Sequence, residues 1–276
     1  MITLSDYKSG KVPLYRLKAG DIFYSDLLKS LSEVGLGEGD TVLVHSDILR
    51  FGKPHFEDVN IFLRSLVDLF IETISQSGTL IMPTFNYEFP NTKKFNLNNT
   101  ESVTGALTNY FRNLKETLRT NDPMHSCSIW GMKQIEYVTV GNDTFGKNSI
   151  YEKLHSNDAK IMTFGTKFND NCFFHYIEQK SNVPYRYIKT FRGEIIDGKN
   201  TYEKSHDYFV RDLEKNVISD VSNFVQAMKN NKILKVSKVG MSNISCSESK
   251  IFFDFGIKRL KENIYCFLKK PYPQYD

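Results

Sequence analysis

The sequence predicts an α/β fold: a mostly parallel sheet covered by helices, with an antiparallel hairpin in the C-terminal part. Three observations carry this. Short β-rich apolar runs alternate with segments of helical apolar spacing up to Phe164, the pattern of strands joined by crossover helices. After Pro184 two long extended runs flank Asp197-Gly198, which reads as a hairpin with a glycine turn. No repeat, low-complexity tract or Pro/Gly-rich linker interrupts the 276 residues. A single domain over 1–276 is therefore expected, with the hairpin inserted near 185–212.

The elements follow in order. Asp21 is placed to cap a helix carrying Phe23, Leu27, Leu28 and Leu31 at helical spacing, which Gly35 and Gly37 end. Gly39-Asp40 is a turn, and Thr41 to His45 is a buried strand. A long helix over 57–76 keeps Ile61, Phe62, Leu66, Leu69, Phe70 and Ile74 on its inner side, and Gly78 closes it. Thr79 to Met82 is the next strand, stopped by Pro83. The polar segment 91–101 reads as a surface loop. Residues 104–118 read as a helix with Leu107, Phe111, Leu114 and Leu118 in register. Ser128 to Trp130 and Lys160 to Phe164 are further strands. Beyond the hairpin come a helix near 219–230, a strand near 232–239 and a helix near 249–262.

Composition narrows the function. Apolar residues make up 40% and charged residues 25%, with 21 Phe and 15 Tyr, which excludes a disordered chain. The 36 basic and 32 acidic residues leave a net charge of +4. That is too mild and dispersed for nucleic-acid binding, but it suits anionic small molecules. No run reaches the roughly 18 apolar residues a membrane span needs. The first residues lack the basic-then-apolar layout of a signal peptide. Cys127, Cys172, Cys246 and Cys266 form no Cys-x-x-Cys pair, so no metal site is expected. Reduced thiols and a cytoplasmic location are expected, with no nucleic-acid or membrane partner. A homodimer stays open.

Four segments hold residue types that carry chemistry. Val44 to Gly52 follows the first buried strand, at the end where α/β sheets bind ligands. Its backbone N–H groups and Arg50 suit a phosphate, although a plain turn capped by Ser46 accounts for the same residues. Asn121 to Ser128 brings a Pro, His125 and hydroxyls to a strand mouth, where His125 can equally be structural. Asp170 to Glu178 is the richest. Asn171 can start a helix, which puts His175 and Glu178 at i and i+3 on one face. A carboxylate beside an imidazole fixes its tautomer for general-base work; a surface pair on a helix has the same spacing. His206-Asp207 lies towards the end of the hairpin, where an acid can reach a cleft or simply meet solvent. There is no Gly-x-Ser-x-Gly elbow, no phosphate loop of the Walker type and no Gly-x-Gly-x-x-Gly, so the common hydrolase and nucleotide-binding classes lose support.

Taken in order, these motifs resemble the aminoglycoside 3-N-acetyltransferase family, a CoA-dependent group distinct from the GNAT superfamily. The resemblance runs from about Gly39 to about Leu268. It includes Val44-His45-Ser46 with Phe51-Gly52, then Gly78 to Phe85, then Thr104 to Leu107 with Phe111-Arg112. It continues through Arg119 to Pro123, His125-Ser126, Phe145-Gly146, Phe174 to Glu178 and Val183 to Tyr187. The resemblance implies an α/β/α sandwich that transfers an acetyl or other short acyl group from acyl-CoA to an amine. It implies His175 as the general base, Glu178 as its support, and Ser126 as a donor to the thioester carbonyl. It implies His45, Ser46, Arg50, Phe51, Gly52 and His125 at the cofactor, which would be acetyl-CoA, and Phe85, Asn86, Tyr87 and Asp207 at the substrate.

Three departures bear on the acceptor. Asp47 stands where family members commonly have a small hydroxyl, and Asp122 stands before Pro123 where antibiotic-modifying members often have His. The segment Glu203 to Asp212 interleaves Lys and Arg with its acids, where aminoglycoside-binding members often show an acidic run. With the net +4, this favours an amino sugar carried on a nucleotide, as in surface-polysaccharide synthesis, over an antibiotic. The alternatives are an aminoglycoside acetyltransferase proper, a ping-pong enzyme with Cys172 as acyl carrier, a non-catalytic CoA- or sugar-binding protein, and a hydrolase using Ser126 with His175.

Overall fold

Local chemistry sets where each element begins and stops. The computed structural model describes residues 1–212, 214 and 217–270. Helix α1 (Leu4–Lys8) is capped by Thr3, and β1 (Tyr15–Arg16) follows. Helix α2 (Tyr24–Glu33) starts later than the sequence predicts. Phe23 is still extended, and it is Asp26 that accepts the Phe23 N–H at 2.8 Å. Asp21 instead accepts from the Leu17 N–H. Then come β2 (Thr41–Ser46), a 3-10 turn over Ile48–Phe51, β3 (Lys53–Pro54) and the long α3 (Val59–Ile74). Asp58 caps α3, and Ser75 ends it at φ 56°, in the left-handed region.

Strand β4 (Thr79–Pro83), α4 (Phe89–Thr92) and β5 (Lys94–Asn96) follow. Helix α5 (Ala106–Arg112) is shorter than the expected 104–118. The Thr117 hydroxyl donates to the Leu114 carbonyl at 2.9 Å, with those of Phe111 and Arg112 close by at 3.2 Å, where the chain turns into β6 (Leu118–Arg119). The rest is β7 (Cys127–Gly131), α6 (Gln134–Val138), α7 (Ile150–Ser156), β8 (Lys160–Phe164), α8 (Phe173–Lys180), β9 (Arg186–Asp197), β10 (Asn200–Arg211), α9 (Ser222–Asn230), β11 (Lys235–Val239), β12 (Ser242–Glu248) and α10 (Ser249–Glu262).

Seven strands form the central sheet in the order β11-β12-β8-β2-β4-β7-β6. Its middle strands β8, β2 and β4 are parallel. The flanking pairs are antiparallel, so the sheet is mixed at its edges. Strand β12 escapes the apolar pattern because Ser-Asn-Ile-Ser-Cys-Ser-Glu is mostly polar and weakly β-forming.

Successive residues of a strand face opposite sides, and both sides are covered. Val42, Val44, Leu80 and Met82 pack with Leu27 and Leu31 of α2 and with Phe62, Leu66 and Phe70 of α3. Leu43, Ile81 and Ile129 pack with Leu154 of α7, Phe173 and Ile177 of α8, and Phe252 of α10. This is the α/β/α sandwich.

The hairpin is as expected, with β9 and β10 in continuous register from Arg186↔Arg211 to Asp197↔Asn200 and Gly198 turning at φ 59°. Strand β5 joins β9 in parallel, and Phe89, Phe95, Met124 and Ile195 fill the space beneath. Among the described residues, no helix is long and apolar enough to cross a membrane.

Candidate active site

The parallel strands β2, β4 and β8 share one end at Ser46, Pro83 and Phe164. Loops leaving that end meet α8 and the hairpin around a cavity of about 940 Å³. Its walls include Tyr87, Asp170, Cys172, His175, Glu178, Arg186, Tyr208, Arg211 and Asp220. The cavity lies beyond the carboxyl ends of the parallel strands, where α/β sheets bind ligands, and no residue of 44–52 lines it.

His175 sits there because α8 is fixed at both ends and along one side. The Asn171 side chain accepts the Phe173 N–H at 3.1 Å, one residue further in than a simple Asn171 cap. Phe173, Phe174, Tyr176 and Ile177 are buried, which leaves His175 as the partly open position, its side chain 27% exposed. The His175 Nδ1 lies 2.6 Å from Glu178 Oε2. A carboxylate accepts, so Nδ1 carries the proton and Nε2 keeps its lone pair free.

Glu178 is itself almost fully buried, and Arg186 Nε lies 2.8 Å from the same oxygen as an ion pair. Arg186 also donates to Ser219 Oγ at 3.3 Å. Burial pushes the His175 pKa down and the nearby Arg186 charge adds to this, against the opposing pull of Glu178. Burial alone would raise the Glu178 pKa, but its contacts with His175 and Arg186 outweigh that and hold it low. The result is a neutral imidazole oriented by an ionised carboxylate. Phe145 packs edge-on to the ring, with centroids 5.7 Å apart.

A second trough, of about 640 Å³, adjoins the cavity. Arg50, Gly52, Gly165, Lys167, Lys229, Met241 and Asn243 line it, and Asn169 lines both spaces. Three cations along the trough and an imidazole in the adjoining cavity suit a long ligand with anionic groups. Arg50 is held by Asp47 at 2.6 Å, so the residue that departs from the family pattern positions a cation here.

The structure brings some of the expected residues together and not others. His175, Glu178 and Tyr87 line the cavity, and Arg50 and Gly52 line the trough. Ser126 reaches neither. It is fully buried, and its hydroxyl donates to the Thr84 carbonyl at 2.7 Å and accepts from Arg119 Nε at 3.1 Å.

His125 is buried behind the wall, stacked on Phe85 with centroids 4.0 Å apart. Burial pushes its pKa down to about 3. His45 is also buried, with its pKa pushed down to about 4. Phe51 is enclosed in the core against Phe164 and Tyr15, and Ser46 lines neither space. Asn86 is spent on the turn, donating to Glu101 O and accepting the Glu88 N–H. Asp207 accepts from Thr190 Oγ1 at 2.6 Å, its backbone pairs with Asn142 and Thr144, and it lines neither space. Cys172 does face the cavity, but burial pushes its thiol up to about 12, which keeps it protonated and a poor nucleophile.

Sequence reasoning missed Tyr208 and Arg211 on the cavity wall and Lys167 and Lys229 in the trough. A period-2 reading of β10 was the available signal for Tyr208: it and Val210 share the inward face that Asp207 does not.

A neutral imidazole aligned by a carboxylate, facing a cavity that opens into a cationic trough, is the equipment of a group-transfer enzyme. The comparisons with known proteins place it further. The sequence profile of the aminoglycoside 3-N-acetyltransferase family matches residues 43–261. The SPbeta prophage-derived aminoglycoside N(3′)-acetyltransferase-like protein YokD of Bacillus subtilis (strain 168) is 25% identical over 243 residues, covering 79% of this chain and 84% of its own.

Two solved structures share the fold at low identity. AAC-IIIb in a binary complex with CoASH superposes with a TM-score of 0.73 at 16% identity, over 91% of this chain and 98% of its own. AAC-VIa bound to sisomicin superposes with a TM-score of 0.74 at 15% identity, over the same 91% and 98%. The chain belongs to the aminoglycoside 3-N-acetyltransferase family. It thereby falls among the CoA-dependent N-acetyltransferases, whose acyl donor is acetyl-CoA.

Proposed function

We propose that this chain transfers an acetyl group from acetyl-CoA to an amine of an amino sugar, with aminoglycosides as the first acceptors to test. The observation that carries this is the 2.6 Å contact between His175 Nδ1 and Glu178 in the wall of the 940 Å³ cavity. The sisomicin complex of one relative and the CoASH complex of another supply the substrate classes.

The residues present fit such a donor. Arg50, Lys167 and Lys229 would face its phosphates, and the trough leads past Asn169 to the base. When bound, acetyl-CoA supplies an activated acyl carbon. His175 Nε2 takes a proton from the acceptor nitrogen as that nitrogen bonds to the carbon, and the carbon–sulfur bond breaks to release thiolate. Glu178 keeps the proton of Nδ1 in place and stabilises the imidazolium that forms. The Arg186 charge helps to hold Glu178 in its ionised form.

A second acceptor reading, a nucleotide-linked amino sugar, is favoured by one observation. The chain carries a net +4, which suits an anionic acceptor better than a polycation, whereas the cavity wall sets Asp170, Glu178 and Asp220 against Arg186 and Arg211. The comparisons favour the aminoglycoside acceptor. A thiol-release assay with acetyl-CoA over aminoglycosides and nucleotide-linked amino sugars separates the two. Turnover with neither class, in an enzyme that binds CoA, would leave only a binding role.

A further inference from the structure

With Ser126 buried, the cavity still needs a hydrogen-bond donor for the oxygen of the reacting carbonyl. We propose that Tyr208 is that donor, a catalytic residue set in place by His125. The inference rests on the transfer reaction above.

Tyr208 lines the same cavity as His175, and Phe145 packs against both rings, with centroids 5.7 Å from His175 and 5.8 Å from Tyr208. The Tyr208 hydroxyl lies 2.8 Å from His125 Nε2. The other nitrogen of His125, Nδ1, lies 3.3 Å from the hydroxyl of Tyr151, which is fully buried. A buried phenol keeps its proton, and burial holds Tyr151 far from ionisation. We assign the Tyr151 proton to Nδ1, which puts the His125 proton on Nε2. Nε2–H then donates to the Tyr208 oxygen, and the Tyr208 proton is left to point into the cavity.

Packing holds the His125 ring: Phe85 is stacked on one face with centroids 4.0 Å apart, and Phe145 packs edge-on at 5.3 Å. Burial also keeps the Tyr208 phenol protonated, so it stays a donor. Phe85, Tyr87 and Phe145 surround the His125 ring, and a preorganised donor costs no reorganisation at the moment of reaction. This gives the buried, neutral His125 a function that its burial otherwise hides.

The test pairs turnover with a spectroscopic readout. Tyr208→Phe keeps the packed ring and removes only the hydroxyl. We expect kcat to fall about 100-fold, the range for loss of one such donor, with little change in either KM. In parallel, a stable analogue with methylene in place of the thioester sulfur is bound to each protein, and its carbonyl stretch is read in the infrared. The band should lie at lower frequency in the wild type than in Y208F.

If Y208F does not fold, 3-fluorotyrosine at position 208 makes a stronger donor and should lower the wild-type frequency further. An unmoved band in either variant overturns the proposal. So does a rise in acceptor KM at constant kcat, which would mean that the oxygen accepts from the amine. In those cases His175→Ala remains inactive and the transfer reading stands. A wild type that acetylates no amine overturns the transfer reading instead.

Discussion

Two histidine-bearing segments of this molecule have opposite fates. His175 on α8 and His125 before β7 each have a carboxylate three residues away, Glu178 and Asp122. Glu178 reaches back to the imidazole at 2.6 Å, and the ring opens into the cavity. Asp122 turns its carboxylate to the backbone N–H groups of Met124 and His125, and the ring is enclosed by Phe85, Phe145, Tyr151 and Tyr208. On a helix, i and i+3 side chains share a face. In a tight turn a short carboxylate finds the main chain first. The same residue types therefore give an open, oriented imidazole in one place and an enclosed one in the other.

The largest effect should come from breaking the first segment. His175→Ala should lower kcat by roughly 10²–10⁴-fold, the usual contribution of a positioned base, with the thermal midpoint nearly unchanged. Glu178→Gln should lower it less, on the order of tenfold, because the amide oxygen can still accept from Nδ1 but the stabilising charge is gone.

The pH profile sharpens this. His175 must be neutral to act, and its pKa lies below the ordinary 6.5, so kcat/KM should rise with pH along a limb centred below 6.5. Glu178 is the group that raises the His175 pKa, so Glu178→Gln should move the limb to still lower pH. A limb that moves up would remove Glu178 from its assigned role.

A smaller effect is expected in the trough. Lys229→Glu replaces an exposed cation that faces the proposed phosphates. It should raise the KM for acetyl-CoA about fivefold, which corresponds to about 1 kcal/mol, with kcat unchanged. Salt should shrink the difference between wild type and variant. An unchanged KM at low ionic strength would detach the trough from the donor.

Much of the fold was legible because apolar periodicity reports burial directly. The strands at Thr41, Thr79 and Lys160 and the helix Ser249–Glu262 all stand where their patterns put them. Strand β12 was not legible, because a serine-rich strand between two others draws its stability from ladder hydrogen bonds, which leave no apolar trace. In the site, the His175–Glu178 pair was legible because both residues sit on one regular element. Tyr208 was passed over for its neighbour Asp207, since charge suggests chemistry more readily than a phenol does. Which side of β10 faces the cavity depends on how the hairpin docks on Asn142 and Thr144, a tertiary contact that residue types do not announce.

The smallest effect on activity, and the sharpest on the comparison, belongs to Ser126. As the resemblance implies it, Ser126 would donate to the carbonyl oxygen, and Ser126→Ala would cost turnover. In the structure its proton goes to Thr84 O and its lone pair to Arg119. Arg119 also donates to the carbonyls of Leu97, Thr100 and Thr84, and it stacks over Phe95 at 4.8 Å. Ser126→Ala therefore removes one acceptor from a buried guanidinium and one donor from a buried carbonyl. It should cost about 1–3 kcal/mol of stability, read as a lower denaturant midpoint at unchanged slope, with kcat within about twofold of wild type. A tenfold fall in kcat at unchanged stability would return the donor role to Ser126 and take it from Tyr208. The two hydroxyls thus compete for one function, and burial decides between them: a donor already spent on the backbone has nothing left to offer a substrate.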